Sequence, residues 1–345
     1  MDAPGSAPLL TTKSVEPRDI WTSNMSVGQA LSGLSNVPVW YEDAKRRKAL
    51  ASDIDADVAI IGAGYTGLWT AYYLLKAEPT LRVVVIEREH AGYGASGRNG
   101  GWASAIFPLL LQHVAKSSSH AAALALQAAM NDTVDEIGRV LRDEGINANY
   151  AKQGFLSLAR SSAQLSRARA AVQASETFGL PHQWRLLDAP EASAMIAAEG
   201  GVGGLYTEHC AVIHPGLLVR GLTRSIEALG ACIYEKTSAT DFRRGSVITS
   251  GGTVRARVIV RATEGFTTQF REYRRSLIPL YSLVFATEPL PHSLRIKLKL
   301  DHRIAFNDMR HLRTYAQVTA DGRLVSEAGA RLIISAQRFP RNTTL

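Results

Sequence analysis

The sequence predicts an α/β protein in which a second, mostly antiparallel α+β domain is inserted into a unit with a parallel sheet. Three observations carry this prediction. An apolar strand at residues 57–61 leads directly into a glycine-rich turn and an amphipathic helix. Helical patterns alternate with strands through the first part of the chain, and short strands dominate after residue 230.

Composition places the chain among globular proteins and excludes several function classes. The length of 345 residues allows one large or two ordinary domains. Hydrophobic residues make up 46% of the chain, enough to form a sizeable core. No apolar run approaches the roughly 20 residues that span a bilayer, and residues 1–19 do not resemble a signal peptide. Cys210 and Cys232 form no CxxC pair and indicate a reducing compartment without a disulfide framework, so we expect a cytoplasmic location. No metal site is predicted. The net charge of +8 comes without a nucleic-acid motif, so nucleic acid is not an expected partner.

The turn after the first strand has the spacing of a dinucleotide site. Gly62, Gly64 and Gly67 form a GxGxxG, which permits a tight turn, close approach of a pyrophosphate, and close packing of the helix on the strand. The N-terminus of the helix also favours phosphate charge. Glu87 ends the next strand, where its carboxylate can accept hydrogen bonds from a ribose 2′-hydroxyl and would repel a 2′-phosphate. The pattern therefore predicts a Rossmann-like unit for FAD or NAD and disfavours NADP.

A second glycine-rich segment distinguishes FAD from NAD. Residues 94–101 read Gly-Ala-Ser-Gly-Arg-Asn-Gly-Gly, and a dehydrogenase that uses NAD has no need of such a loop directly after the ribose acid. FAD is longer, and its diphosphate–ribityl portion would pass this loop. Ser96 and Arg98 can contact phosphate or flavin oxygens there. An ordinary polar turn is the alternative interpretation, and the neighbouring motif favours FAD.

These residues resemble the D-amino-acid oxidase superfamily of FAD-dependent oxidoreductases, and most of all its branch of gamma-glutamylputrescine oxidases and glycine/D-amino-acid oxidases. The motifs that carry the resemblance are DVAIIGAGYTGLWTAYYL (57–74), IERE (86–89), GYGASGRNGGW (92–102), AVIHPGLLVRGL (211–222), VIVRATEGF (258–266) and IPLYSLVFATEPL (278–290). The resemblance implies an FAD-binding domain of the GR2 type. It also implies noncovalent FAD, because Arg98 stands where relatives with covalent flavin carry a histidine.

The resemblance further implies a set of FAD contacts. They are Gly62, Gly64, Thr66, Gly67, Glu87, Arg88, Ser96, Arg98, Asn99, Gly100, Ala262 and Gly265. Ala262 and Gly265 are expected near the adenine-nucleotide portion, and Ala239 falls where relatives usually carry a valine beside the adenine. His214 either faces the active site or caps the helix that follows it. Tyr281 either lines the pocket or is an ordinary sheet tyrosine.

The resemblance covers roughly residues 30–325. The domains it implies are a leader (1–56), a discontinuous FAD-binding domain (57–115 and 205–275), a helical and substrate domain (116–204 and 276–325) and a non-family tail (326–345). We expect the C-terminal part of the fold, which closes the FAD domain in relatives, to be missing. We also expect both cysteines to be small core residues rather than flavin attachments.

The activity implied by the resemblance is oxidation of a C–N bond in an amine or amino acid by hydride transfer to flavin N5. A small-molecule amine or amino acid is the expected partner, no catalytic residue is predicted, and the oligomeric state is left open. Truncation is expected to impair the activity, since it would expose a sheet edge and apolar helix faces. Two alternatives remain. One is a non-catalytic remnant (a pseudoenzyme), and the other is an NAD-dependent dehydrogenase, which the second glycine loop disfavours.

Overall fold

The computed structural model describes residues 38–40, 46–107, 109–311 and 314–331. Most of the predicted leader and most of the predicted tail lie outside these residues. The side chain of Tyr281 also lies outside them, so its place in a pocket stays a prediction. Among the described residues, none of the helices has the length and apolar character needed to cross a membrane.

Helices and strands alternate along the first half of the described chain, and strands dominate the second half. The strands are β1 (Ile54–Ile61), β2 (Val83–Ile86), β3 (Trp102–Ser104), β4 (Phe155–Ala159), β5 (Arg185–Leu187), β6 (Gly203–Thr207), β7 (Cys210–Val212), β8 (Cys232–Tyr234), β9 (Ala239–Arg243), β10 (Ser246–Thr249), β11 (Gly252–Arg261), β12 (Tyr281–Pro289), β13 (Ala305–Asp308), β14 (Thr314–Val318) and β15 (Arg323–Arg331). The helices are α1 (Tyr65–Ala77), α2 (Leu111–Ser117), α3 (His120–Asp143), α4 (Ser162–Phe178), α5 (Ala189–Met195), α6 (Pro215–Ala228) and α7 (His292–Leu298).

The first sheet has the strand order β8-β2-β1-β11-β10-β9. Its first four strands are parallel, and β10 and β9 continue it in antiparallel fashion. β2 is buried along its whole length, as expected for a β-branched strand that is covered on both faces. From β1 the chain crosses to β2 on one side, and β11 pairs with β1 on the other side. The carboxyl end of β1 is therefore a topological switch point, where parallel sheets bind ligands.

Helices α1 and α6 cover one face of this sheet. The predicted apolar face of α1 is confirmed, since Leu68, Ala71, Tyr72 and Leu75 are all buried. They form one core with apolar residues of β1, β2 and α6. Burying one such leucine stabilises the fold by about 2 kcal/mol, so this packing holds the glycine turn at the start of α1 in place.

The second sheet has the order β12-β15-β14-β13-β4-β6-β5. Among its described strands, only β13 and β4 run parallel, which confirms the predicted mostly antiparallel second sheet. Residues 326–331, predicted as a non-family tail, continue β15 alongside β12 and β14. The division of the chain into discontinuous domains stays a prediction.

The starts of α6 and α3 and the two cysteines are further local features of the fold. Pro215 begins α6, which ends just before Gly230 at φ +100°, a backbone conformation that favours glycine. Helix α3 begins at His120, because the Ser119 hydroxyl accepts a hydrogen bond from the Ala122 N–H and caps the helix. Cys210 is buried as expected, whereas Cys232 is exposed because it lies on the edge strand β8.

One edge of β11 is half open. Residues 254–261 pair with β1 on one side, but β10 pairs only with residues 252–255 on the other. No strand of the described chain pairs with residues 257–261 on that second side. Val258, within this unpaired stretch, is 52% exposed. An apolar, unpaired strand edge is a site for self-association.

We predict that Val258→Lys lowers self-association of the protein, because a charge on an open edge opposes pairing with another chain. The free energy of unfolding should change by less than about 0.5 kcal/mol, since the side chain is already half exposed. Sedimentation velocity and thermal unfolding measure the two quantities. Val202→Lys, which replaces a similarly exposed valine away from this edge, is the control. Equal association of both variants would contradict the prediction.

Candidate dinucleotide site

The candidate site lies where three parallel strands end. Gly62 follows β1, Glu87 follows β2 and Ala262 follows β11. The Gly62 N–H donates to the Ile86 carbonyl at 2.8 Å, and the Ala262 N–H donates to the Ile61 carbonyl at 2.9 Å. These bonds extend the sheet by one residue and bring the ends of the three strands together at the switch point.

Two glycines of the first loop have neighbours that exclude any side chain. A Cβ on Gly62 would lie 2.4 Å from the Ala262 carbonyl oxygen, and Gly62 has φ +107°, which favours glycine. A Cβ on Gly67 would lie 2.0 Å from the Gly62 carbonyl oxygen. The predicted tight turn and close packing of helix on strand are therefore both present.

The start of α1 meets the second glycine loop. Gly64 is the N-cap of α1, so the N-cap itself has no side chain, and the first turn of the helix holds no acidic residue. The Tyr65 N–H donates to the Ser96 hydroxyl oxygen at 2.8 Å, and a Cβ on Gly64 would lie 2.9 Å from that oxygen. A helix start whose N-cap has no side chain and whose first turn has no acids, bordered by a hydroxyl group, fits a phosphate.

The Glu87 carboxylate is held by the backbone. Its Oε2 accepts a hydrogen bond from the Ala63 N–H at 2.9 Å, and its Oε1 accepts one from the Glu89 N–H at 2.9 Å. Partial burial raises the pKa of Glu87 above its ordinary value, although these two backbone bonds oppose the rise. Each oxygen keeps acceptor capacity for a ribose hydroxyl, so the donor set fits the ribose of a dinucleotide.

Arg98 and Asn99, both predicted FAD contacts, bind the second loop and the residue that precedes it. The Arg98 Nε donates to the Tyr93 carbonyl at 2.6 Å, and its guanidinium lies 4.8 Å from the centre of the Tyr93 ring. The Asn99 amide nitrogen donates to the carbonyls of Ala95 and Ser96, both at 3.1 Å. Asn99 Oδ1 accepts the Gly101 N–H at 2.9 Å.

The remaining predicted residues surround this centre. Thr66 lies in the first turn of α1, where its carbonyl accepts a hydrogen bond from the Thr70 hydroxyl at 2.7 Å. The Arg88 guanidinium lies 4.9 Å from the centre of the Phe266 ring and bonds to Gln269. It thus reaches the 3₁₀ turn that contains Gly265. The structure brings the predicted residues to one edge of the sheet, and their individual contacts with FAD stay predictions.

Three residues at this edge were not predicted to lie beside the loop. The Trp40 Nε1 donates to the Asn99 carbonyl at 2.6 Å, and Gln317 and Glu327 bind the backbone of Gly100. No local motif around Gln317 or Glu327 indicates this role, because both reach the loop from the second sheet. His214 caps α6 through its Nδ1, which accepts the Leu217 N–H at 3.1 Å, and this confirms the capping alternative.

Comparison with known proteins agrees with this geometry. A family model described as FAD dependent oxidoreductase matches residues 57–343. Gamma-glutamylputrescine oxidoreductase of Escherichia coli (strain K12) is 29% identical over 285 residues, which cover 81% of this chain and 66% of that protein. Glycine oxidase of Geobacillus kaustophilus (strain HTA426) is 29% identical over 213 residues, which cover 60% of this chain and 54% of that protein. This chain thus spans less than two thirds of the length of these curated relatives.

Solved structures share the fold. The crystal structure of glycine oxidase from Geobacillus kaustophilus superimposes with a TM-score of 0.62 at 22% identity, over 80% of this chain and 72% of that chain. The crystal structure of L-proline dehydrogenase from P. horikoshii superimposes with a TM-score of 0.62 at 16% identity, over 83% of this chain and 72% of that chain. These likenesses confirm the predicted α/β fold with its Rossmann-like sheet.

We predict that Gly64→Ala weakens FAD binding at least about tenfold, because the new methyl group occupies the place of closest phosphate approach. Thermal stability should change little, since Gly64 has φ −84° and its nearest neighbour is a rotatable hydroxyl group. Gly201→Ala is the control, as the nearest atom to its Cβ would lie at 3.7 Å. Titration of flavin fluorescence measures affinity. If Gly64→Ala bound FAD with unchanged affinity, the prediction that a phosphate of FAD lies against this loop would be wrong.

We predict that FAD affinity falls as the pH is lowered through the raised pKa of Glu87, because the protonated carboxyl group is a weaker acceptor for ribose hydroxyls. Glu87→Gln should bind FAD roughly tenfold more weakly at neutral pH and show a flatter pH profile. Since burial disfavours the charged form, the contribution of Glu87 to stability without FAD is present at low pH and is lost as the pH rises through its folded pKa. Equal pH profiles of affinity for both proteins would contradict the assignment.

Proposed function

Because the chain belongs to the family of FAD-dependent oxidoreductases, whose cofactor is FAD, we propose that it oxidises a C–N bond of an amine or amino acid. The observation that carries the proposal is the meeting of the two glycine loops, where the Tyr65 N–H donates to the Ser96 hydroxyl oxygen at 2.8 Å. A site for NAD alone needs only the first loop and the ribose acid.

The residues of the chain bind and orient the cofactor. The start of α1 offers backbone donors to the diphosphate beside Gly64, and Glu87 offers two carboxylate oxygens to the ribose. When bound, FAD supplies a flavin whose N5 accepts a hydride from the substrate carbon that bears the nitrogen, and hydrolysis of the resulting imine gives a carbonyl compound and an amine.

The substrate nitrogen must be uncharged to release this hydride. A free alkylamine has a pKa of about 10, similar to lysine, so the site must favour the neutral form by desolvation. An apolar pocket over the flavin is sufficient, and the proposal requires no dedicated base. The names of the two curated relatives, gamma-glutamylputrescine oxidoreductase and glycine oxidase, support an amine or an amino acid as the substrate class. A cytoplasmic location is part of the same proposal.

A non-catalytic remnant of such an enzyme is the second candidate. The half-open edge of β11 favours it, because Ala262 at the end of that strand contacts the glycine turn at Gly62. Because β11 is paired on one side only where it reaches the site, the site should bind FAD weakly. This candidate predicts that flavin binds without being reduced by amines.

We predict weak retention of FAD during purification and reduction of the flavin once FAD is added back with a substrate amine. The measurement is anaerobic loss of flavin absorbance with a panel of alkylamines, diamines and amino acids. Free FAD, mixed with the same amines in the absence of protein, controls for flavin that is reduced without being bound. Bound FAD that no member of the panel reduces would favour the remnant, and a chain that binds no FAD would refute the proposal.

A further inference from the structure

Gln317, in β14 of the second sheet, holds the carbonyl groups of the second glycine loop. Its side chain is fully buried, with 0% exposure. Its Nε2 donates to the Gly100 carbonyl at 2.7 Å and to the Gly101 carbonyl at 2.8 Å. A Cβ on Gly101 would lie 2.1 Å from this nitrogen, so a glycine there is required for the contact. Two backbone carbonyls of the loop thus depend on one side chain.

Glu327, in the neighbouring strand β15, holds the same loop by its N–H. Its side chain is 8% exposed, and its Oε2 accepts a hydrogen bond from the Gly100 N–H at 2.9 Å. The Ser282 hydroxyl donates to its Oε1. Burial, together with a hydrogen bond to Glu327, raises the pKa of the Tyr315 phenol, which therefore stays protonated as a donor to this carboxylate. Donors from three residues thus hold this buried side chain in place.

The register of the sheet puts both side chains on one face. Tyr315 pairs directly with Glu327, and Gln317 lies two residues further along β14. A Cβ on Gly100 would lie 2.6 Å from the Tyr315 ring and 2.8 Å from Glu327 Oε2. The loop therefore rests against this face at Gly100, with both of its backbone polar groups bonded to the second sheet.

We infer that Gln317 and Glu327 are positioning residues for the second glycine loop. They hold the loop in the position in which the Ser96 hydroxyl contacts the start of α1. The inference rests on the proposed function, since the loop matters because FAD passes along it. It also changes the expected role of Gly100. The N–H and C=O of this residue are both bonded to protein, so its effect on FAD is exerted through the shape of the loop.

The test compares variants that keep the side-chain volume. Gln317→Met removes the amide, Glu327→Leu removes the carboxylate, and Glu327→Gln keeps an oxygen that can accept the Gly100 N–H. Gln127→Met is the matched control, because Gln127 is also buried and its Nε2 donates to the Ala105 carbonyl, outside the loop. Thermal unfolding shows whether each variant is folded.

The first readout, hydrogen–deuterium exchange of peptides that cover residues 94–101 in the protein without FAD, does not depend on the cofactor. We expect exchange of the loop to rise about tenfold in Gln317→Met and Glu327→Leu, because the loop then opens more readily. It should stay within about twofold of wild type in Glu327→Gln and in the control. Wild-type exchange in both apolar variants, or an equal rise in the control, would overturn the inference.

The second readout is the dissociation constant for FAD. We expect it to rise about tenfold in Gln317→Met and Glu327→Leu but to stay near the wild-type value in Gln127→Met, even where all three variants lose similar thermal stability. Unchanged affinity despite a more open loop would overturn the positioning role. If the wild-type chain binds no FAD, the proposed function fails, and the exchange measurement still decides whether these residues hold the loop.

Discussion

The dinucleotide site depends on three backbone segments that meet with no side chain between them. A Cβ at Gly62 would lie 2.4 Å from the carbonyl oxygen of Ala262, and one at Gly67 would lie 2.0 Å from that of Gly62. Both distances are far shorter than van der Waals contact, so folding alone requires these two glycines before any ligand binds. Gly64 differs, because its nearest neighbour is the rotatable hydroxyl group of Ser96. Of the three glycines in the motif, Gly64 is therefore the one that folding requires least, which supports the proposal that its absent side chain serves the ligand.

The second glycine loop is held from two directions, which explains why it can be rich in glycine and still keep one conformation. Arg98 and Asn99 bind carbonyl groups within their own segment. Gln317 and Glu327 bind Gly100 from the second sheet. Glycine loses more conformational freedom on folding than any other residue, so these bonds must offset that cost. The loop thus joins the two sheets, and a change in the second sheet can reach the dinucleotide site without contact with the ligand.

The parts of the fold that were predictable from sequence are those with local signals. The apolar strand before Gly62, the glycine spacing, and Glu87 at the end of β2 each have a pattern within a few residues. Strands of three to five residues such as β5, β6 and β13 have none, because pairing with distant strands decides them. The contacts of Gln317 and Glu327 span more than 200 residues, and no spacing rule reaches so far. Ser119 is a different case, since a serine before a helical pattern is a cap signal that indicates the break between α2 and α3.

The composition of β11 conflicts with its position in the sheet. Its run of Val258, Ile259 and Val260 is typical of an interior parallel strand that is covered on both faces and paired on both edges. Residues 257–261 are nevertheless paired on one side only within the described chain. Ala262, the residue after this strand, lies against Gly62. The rigidity of the glycine turn therefore depends on how firmly β11 is held in the sheet. Any segment that pairs with the open edge would tighten the turn, and binding of a dinucleotide in the turn would in return favour that pairing, because linked equilibria are reciprocal.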